Sequence, residues 1–189
     1  MTAIRSFTPT RIEYAPSSVD DMLSTARLLL RPFTLVDTPK IFAMSHEAGM
    51  RRWIPDQVYR DEEHADQIVR ALMAHTASEP DPRARPYVLG IEETATGVLV
   101  GHVGLSAARG SVEIGYAIEE RLQGKGLATE AVRAMSGWGL EELSLPEVLG
   151  IVATQNASSC RVLEKAGFVL DRTEAEKRIY VACRRLRNS

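Results

Sequence analysis

Long apolar runs are missing from this chain of 189 residues, and so is any strong excess of charge. No stretch approaches the roughly 20 apolar residues that a membrane-spanning helix needs. The first residues, MTAIRSFTPTRIEYAPSSVDD, lack the apolar core of a signal peptide. The formal net charge is −2, which gives no electrostatic case for nucleic acid. There are two cysteines, Cys160 and Cys183, without C-x-x-C spacing, so two reduced thiols are expected rather than a disulfide or a metal pair. The four histidines, His46, His64, His75 and His102, show no ligand spacing such as H-E-x-x-H. The expectation is a cytoplasmic protein with no metal, no nucleic acid partner and no membrane association. With 44% hydrophobic residues the chain can bury a sizeable core as one domain.

What the sequence does hold is a glycine loop between a strand and a helix. Val112 to Ile118 is β-patterned, and a polar turn follows. Gln123-Gly124-Lys125-Gly126-Leu127-Ala128-Thr129 then leads into a helical pattern, with Ala128, Ala131, Val132, Met135 and Trp138 at three- and four-residue spacing. Gly124 and Gly126 remove side chains where backbone must approach a ligand closely. The free N–H groups of a first helical turn, aided by the helix dipole, suit an anion such as a phosphate. Lys125 adds a cation. A Walker loop would need Ser or Thr after Gly-Lys, and Gly126 stands there. A dinucleotide fingerprint would need a third glycine, and Thr129 stands there.

Along the chain, residues 1–24 read as an extended or loose lead before a single domain over 25–189. Thr25 to Phe33 reads as a first strand ending near Pro32. Asp37 and Thr38 before Pro39 start a helix that Gly49 closes. A second helix follows Asp61 and Glu62, carrying Ala65, Ile68, Val69, Leu72 and Met73. Tyr87–Ile91, Val98–Leu105 and the strand from Val112 form an antiparallel run. After the glycine-loop helix, Val148 to Ala153 reads as a strand buried on both faces. Asn156 opens another helix, Gly167 caps its end, and two closing strands follow. The result is an α/β (α+β) fold: a mixed, mostly antiparallel sheet of about seven strands flanked by about four helices.

Arg121-x-x-Gly124-x-Gly126, inside EIGYAIEERLQGKGLATEA, resembles the acyl-coenzyme A pyrophosphate loop of the GNAT N-acetyltransferase superfamily, and most of all its RimJ/RimL-like branch. Asn156-x-x-Ser159-x-Arg161-Val162-Leu163-Glu164-Lys165-x-Gly167-Phe168 resembles that superfamily's second motif, on the helix flanking the pantetheine arm. The two motifs stand in the family's order, and the element order over about 25 to 186 is similar to the GNAT topology. The resemblance implies acetyl transfer from acetyl-CoA to a primary amine, either a protein N-terminus or a small molecule. The other reading is a coenzyme A-binding regulatory or interaction domain with little catalysis. Analogy with similar proteins leaves a homodimer open.

The resemblance also distributes roles. Cofactor-binding positions are Tyr116, Ala117 and Ile118 on the strand, Gln123 through Thr129 on the loop (Gln123, Gly124, Lys125, Gly126, Leu127, Ala128 and Thr129), and Asn156 and Ser159 on the helix. Pantetheine amides would pair along Ile114–Ile118 like an added strand, in a splay beside Val148–Ala153. A backbone N–H near Tyr116 to Ile118 would serve the thioester oxygen. Glu113, facing away from Val112 and Ile114, is the candidate base. The alternative for Glu113 is an exposed strand carboxylate. Leu163 stands where many GNAT enzymes carry a tyrosine acid, so Ser159, one turn earlier, is the candidate acid or thiol-orienting group. Its alternative is a helix-start hydroxyl, with Asn156 the competing cap. Trp53 and Ile54, with Tyr59, lie in the insert that walls the acceptor site in similar proteins, with core packing as the default.

Overall fold

The computed structural model describes residues 23–184. Eight strands form one sheet, ordered β1-β2-β3-β4-β5-β6-β8-β7. These are β1 (Leu23–Ser24), β2 (Leu28–Arg31), β3 (Tyr87–Glu93), β4 (Val98–Ala108), β5 (Ser111–Ile118), β6 (Glu147–Ala153), β7 (Val169–Glu174) and β8 (Lys177–Cys183). Five helices accompany them: α1 (Thr38–Ser45), α2 (Ala48–Trp53), α3 (Glu62–Thr76), α4 (Leu127–Glu141) and α5 (Ala157–Ala166). No helix among the described residues is long and apolar enough to cross a membrane.

The strand and helix counts exceed the sequence expectation by one each. Most of the expected lead, residues 1–24, lies outside the described residues; Leu23 and Ser24 pair with Leu30 and Leu29 as β1. The extra helix is α2. Gly49 does not close the first helix, which ends at Ser45 with His46 as its cap. Glu47 then adopts an extended backbone that resets the chain and starts α2, so Gly49 falls inside that second short helix.

The two faces of the sheet carry different layers. Leu28, Leu30, Leu89, Ile91, Val103, Leu105, Val112 and Ile114 join Ala131, Val132 and Met135 of α4 and Leu163 of α5 in the main core. Tyr87 stacks on Trp138 of α4 with ring centroids 5.0 Å apart. Val88, one residue out of phase with Tyr87 and Leu89, packs instead with Phe33, Ile41, Val69 and Leu99, under α1 and α3. Tyr59 belongs to this second core, edge-on to His64, rather than to an acceptor wall.

The join between β5 and β6 positions the site. Every other strand pair is antiparallel, and β6 holds β8 through seven register pairs from Glu147 to Ala153. Between β5 and β6 the parallel ladder has one register pair among the described residues, Glu113 with Leu149. Beyond it the two strands diverge.

Candidate active site

That divergence opens a cleft of about 650 Å³, lined by Glu113 through Ile118 on one side and Ile151 through Ala153 on the other. Its volume falls in the class of small-molecule sites. The β5 edge facing β6 is left without a strand partner past Glu113 among the described residues. Unpaired backbone N–H and C=O groups there need a partner.

The glycine loop closes one end. A 3-10 turn, Glu120–Leu122, leads to Gln123, whose Nε2 donates to the Ile118 carbonyl at 3.0 Å. Gly124 and Gly126 have φ of +78° and +83°, a region that favours glycine. Gly126 is the N-cap of α4 and supplies no side-chain cap, unlike Asp61 on α3 and Asn156 on α5. The first N–H groups of a 15-residue helix are therefore left for a ligand, and Leu127, Ala128 and Thr129 line the cleft beside them. This fits an anionic diphosphate.

A clamp that sequence reasoning missed holds this loop. Arg27 Nη1 donates to the Lys125 carbonyl at 3.0 Å. Its Nε and Nη2 reach Glu130 Oε2 at 2.8 and 2.7 Å. Glu130 Oε1 also accepts from Thr25 Oγ1 at 2.6 Å and from the Arg27 N–H at 2.9 Å. Burial alone would raise the Glu130 carboxyl; these hydrogen bonds hold it below its ordinary value. Lys125, predicted to add its cation, does not line the cleft; its carbonyl is what the clamp uses. Arg121 turns to Glu119 at 2.7 Å, and Lys40 meets the same carboxylate at 2.8 Å.

The remaining predicted residues come together. Asn156 caps α5, its Oδ1 accepting from Ser159 N at 3.1 Å and from Ser158 Oγ at 2.8 Å. Ser159 Oγ lies 2.6 Å from the Tyr116 hydroxyl, across from β5. Glu113 faces away from the main core, into the cleft, with Trp53 and Ile54 on the same lining. Burial pushes the Glu113 carboxyl up, while Lys177 and Arg109 pull it down; the net is upward. Arg161 and Lys165 of the second motif also line the cleft, as does Lys177, for which the sequence carries no motif. Leu163 is fully buried, and a Cβ on Gly150 would stand 2.6 Å from its Cδ1, so this wall is closed by packing.

Comparison with known proteins agrees with this geometry. Residues 27–169 match the model of the Acetyltransferase (GNAT) domain. Two uncharacterized N-acetyltransferases of Bacillus subtilis (strain 168) are similar. YoaA is 31% identical over 151 residues, covering 78% of this chain and 82% of the relative. YnaD is 27% identical over 147 residues, covering 77% and 81%. Among solved structures, RimL, a ribosomal L7/L12 alpha-N-protein acetyltransferase in complex with coenzyme A, superposes with a TM-score of 0.71. It is 15% identical and covered over 98% of its chain and 86% of this one. The match spans the splayed strands, the glycine loop and the first turns of α5, and this chain belongs to the GNAT family of acetyltransferases, which transfer an acetyl group from acetyl-CoA to amines.

Proposed function

We infer that the cleft holds acetyl-CoA and that Glu113 serves an incoming primary amine, a protein N-terminus or a small molecule, from the opposite face of the sheet. The single parallel register pair between β5 and β6 is the observation that carries this reading. It leaves a strand edge free at a point where the two faces of the sheet meet.

In this reading the N–H groups at Leu127, Ala128 and Thr129, with Gly124 and Gly126 clearing the approach, receive the diphosphate. Gln123 and Asn156 flank the arm. The free edge from Tyr116 to Ile118 pairs with pantetheine amides and offers an N–H to the carbonyl oxygen. Acetyl-CoA supplies the activated acetyl thioester. Glu113, uphill of its ordinary value through burial, accepts a proton from the amine, directly or through water. Trp53 and Ile54 wall the acceptor side. Leu163 supplies no acid, so Ser159 is the hydroxyl that faces the sulfur. The described residues act as one acetyltransferase domain, whose sheet already includes Leu23 and Ser24. Free Cys160 and Cys183 suit a reducing, cytoplasmic setting.

The test is calorimetry with coenzyme A, followed by free-thiol release from acetyl-CoA against N-terminal peptides, polyamines, amino acids and aminoglycosides. Release with one class names the acceptor. Absence of coenzyme A binding overturns the assignment of the cleft.

A further inference from the structure

The Tyr116 side chain leaves β5 and meets the first turn of α5. Its hydroxyl oxygen lies 2.6 Å from Ser159 Oγ and 3.2 Å from the Ser159 carbonyl oxygen. Other acceptors for Ser159 are few. Asn156 Oδ1 already receives Ser159 N and Ser158 Oγ, which occupies both of its lone pairs. Among the described residues, the Tyr116 hydroxyl is the hydrogen-bond partner of Ser159 Oγ.

Two hydroxyl protons therefore share three oxygens, and two arrangements satisfy them. In the first, Ser159 donates to Tyr116, and Tyr116 donates to the Ser159 carbonyl. In the second, Tyr116 donates to Ser159 Oγ, and the Ser159 proton is released toward the cleft that both residues line. An acceptor in the cleft favours the second arrangement, because only there is the Ser159 proton available to it.

We propose that Tyr116 is a positioning residue which, by donating to Ser159 Oγ, commits the Ser159 hydroxyl proton to the thioester sulfur of bound acetyl-CoA. This rests on the reading of the cleft given above. The contact is a hydrogen bond throughout. As the amine nitrogen forms its bond to the acetyl carbon and gives a proton to Glu113, the C–S bond breaks. The sulfur keeps that electron pair and takes a proton from water, and Glu113 returns its proton to water, so neither hydroxyl is consumed. Burial pushes the Tyr116 phenol up to about 12, so it remains a protonated donor at neutral pH. A hydroxyl that accepts one hydrogen bond is polarised into a better donor for the next. The tyrosine absent from α5, where Leu163 stands, is thus answered by a phenol from the opposite wall.

Tyr116→Phe, Ser159→Ala and the double variant test this in the full chain. The decisive readout is the pH titration of the thiol of bound coenzyme A, followed by thiolate ultraviolet absorbance. Losing either hydroxyl should raise that thiol's pKa by about one pH unit, equivalent to about tenfold in thiolate stabilisation. Turnover should fall about tenfold, with KM for acetyl-CoA within about twofold. The double variant should be no worse than either single one, because one chain is cut once or twice. A merely structural role would lower the melting temperature or the coenzyme A affinity without moving the titration, and that result overturns the proposal. Independent, multiplying losses also overturn it. If Tyr116→Phe fails to fold, an unmoved titration in Ser159→Ala overturns it alone. If the wild type binds no coenzyme A, the reading of the cleft fails first; binding with unmoved titration removes only the hydroxyl chain.

Discussion

Arg27→Ala tests whether the glycine loop is held in place before the cofactor arrives. Arg27 is 49% exposed, so its ion pair with Glu130 contributes at most about 1 kcal/mol. Its hydrogen bond to the Lys125 carbonyl contributes about 0.5–1.5 kcal/mol. Glu130 is not orphaned by the change, because Thr25 Oγ1 and the backbone N–H of residue 27 still donate to it. The net loss, about 1–2 kcal/mol, falls on the conformation of the loop between Lys125 and Gly126. A loosened loop must be ordered again on binding, so the loss should appear as affinity. The Kd for coenzyme A by calorimetry should rise roughly 5- to 30-fold. Turnover at saturation should stay close to wild type, because Arg27 touches the loop and not the Glu113 end of the cleft. The melting temperature should fall by about 2–8 °C for a domain of this size. Arg27→Lys should recover little, since one ammonium cannot span both Glu130 and the Lys125 carbonyl as the guanidinium fork does. A folded Arg27→Ala protein with wild-type affinity would refute the reasoning, and a fall in turnover alone would place Arg27 in a different role.

Other substitutions probe the rest of the site. Gly124→Glu adds bulk, negative charge and a side chain at φ of +78°, and should weaken coenzyme A binding at least about tenfold by calorimetry. Glu113→Gln should lower turnover about 100-fold with little effect on cofactor affinity. As the proposed base, Glu113 acts deprotonated, so the wild-type rate should decline as pH falls through a value above the usual carboxylate range, and the variant should lack that limb. Gly150→Ala drives a Cβ to 2.6 Å from Leu163 Cδ1 and should cost about 1–3 kcal/mol in chemical denaturation. Burial lowers the His102 imidazole from 6.5 to about 4. The unfolded chain then binds more protons between those values, so stability is lost as pH falls from about 6.5 to about 4. Replacing His102 with Asn should remove about 1–3 kcal/mol of that loss, measured as melting temperature against pH.

The parts of the site readable in the sequence are those with local causes. Two glycines at positive φ, an asparagine three residues before Ser159 and a glycine after Ala166 fix the loop and both ends of α5 through contacts within a few positions. Glu113 was readable because a strand alternates its faces, and its neighbours Val112 and Ile114 are apolar. Contacts made at long sequence separation left no such trace. Arg27 meets Lys125 and Glu130 some hundred residues away, and nothing around Thr25-x-Arg27 distinguishes it from an ordinary strand start. The Lys125 backbone was not legible as a partner of Arg27, because its carbonyl is turned to that side chain by the loop and not by any local signal. Gly49 misled because a glycine after a helical pattern reads as a cap, while the reset actually occurs at Glu47. Tyr59 went to the second core, the ordinary fate of a large aromatic side chain.

In the proposed reading, the splay lets Glu113 and Tyr116, which share β5, serve one reaction from opposite faces, with Tyr116 reaching the Ser159 hydroxyl of α5. Residues 113 and 116 of β5 differ by an odd number of positions, so their side chains emerge on opposite faces. In a continuous sheet those faces would never exchange a reactant. Here β6 is held along its length by β8 and touches β5 at one register pair, so the sheet opens between Gly115 and Ile118. An amine at Glu113 and a thioester beside Ser159 can then meet through the opening while each keeps its own wall. Closing the gap would remove both the pantetheine edge and the passage. Gly150, seated against Leu163 on the next strand, keeps the α5 wall close enough for Ser159 to reach Tyr116. The Gly150→Ala change should therefore weaken more than the core. By pushing α5 outward it should stretch the Tyr116–Ser159 bond and raise the pKa of bound coenzyme A thiol, as is expected of Tyr116→Phe. An unmoved titration in a Gly150→Ala protein of lowered stability would show that α5 yields without carrying Ser159 away from β5.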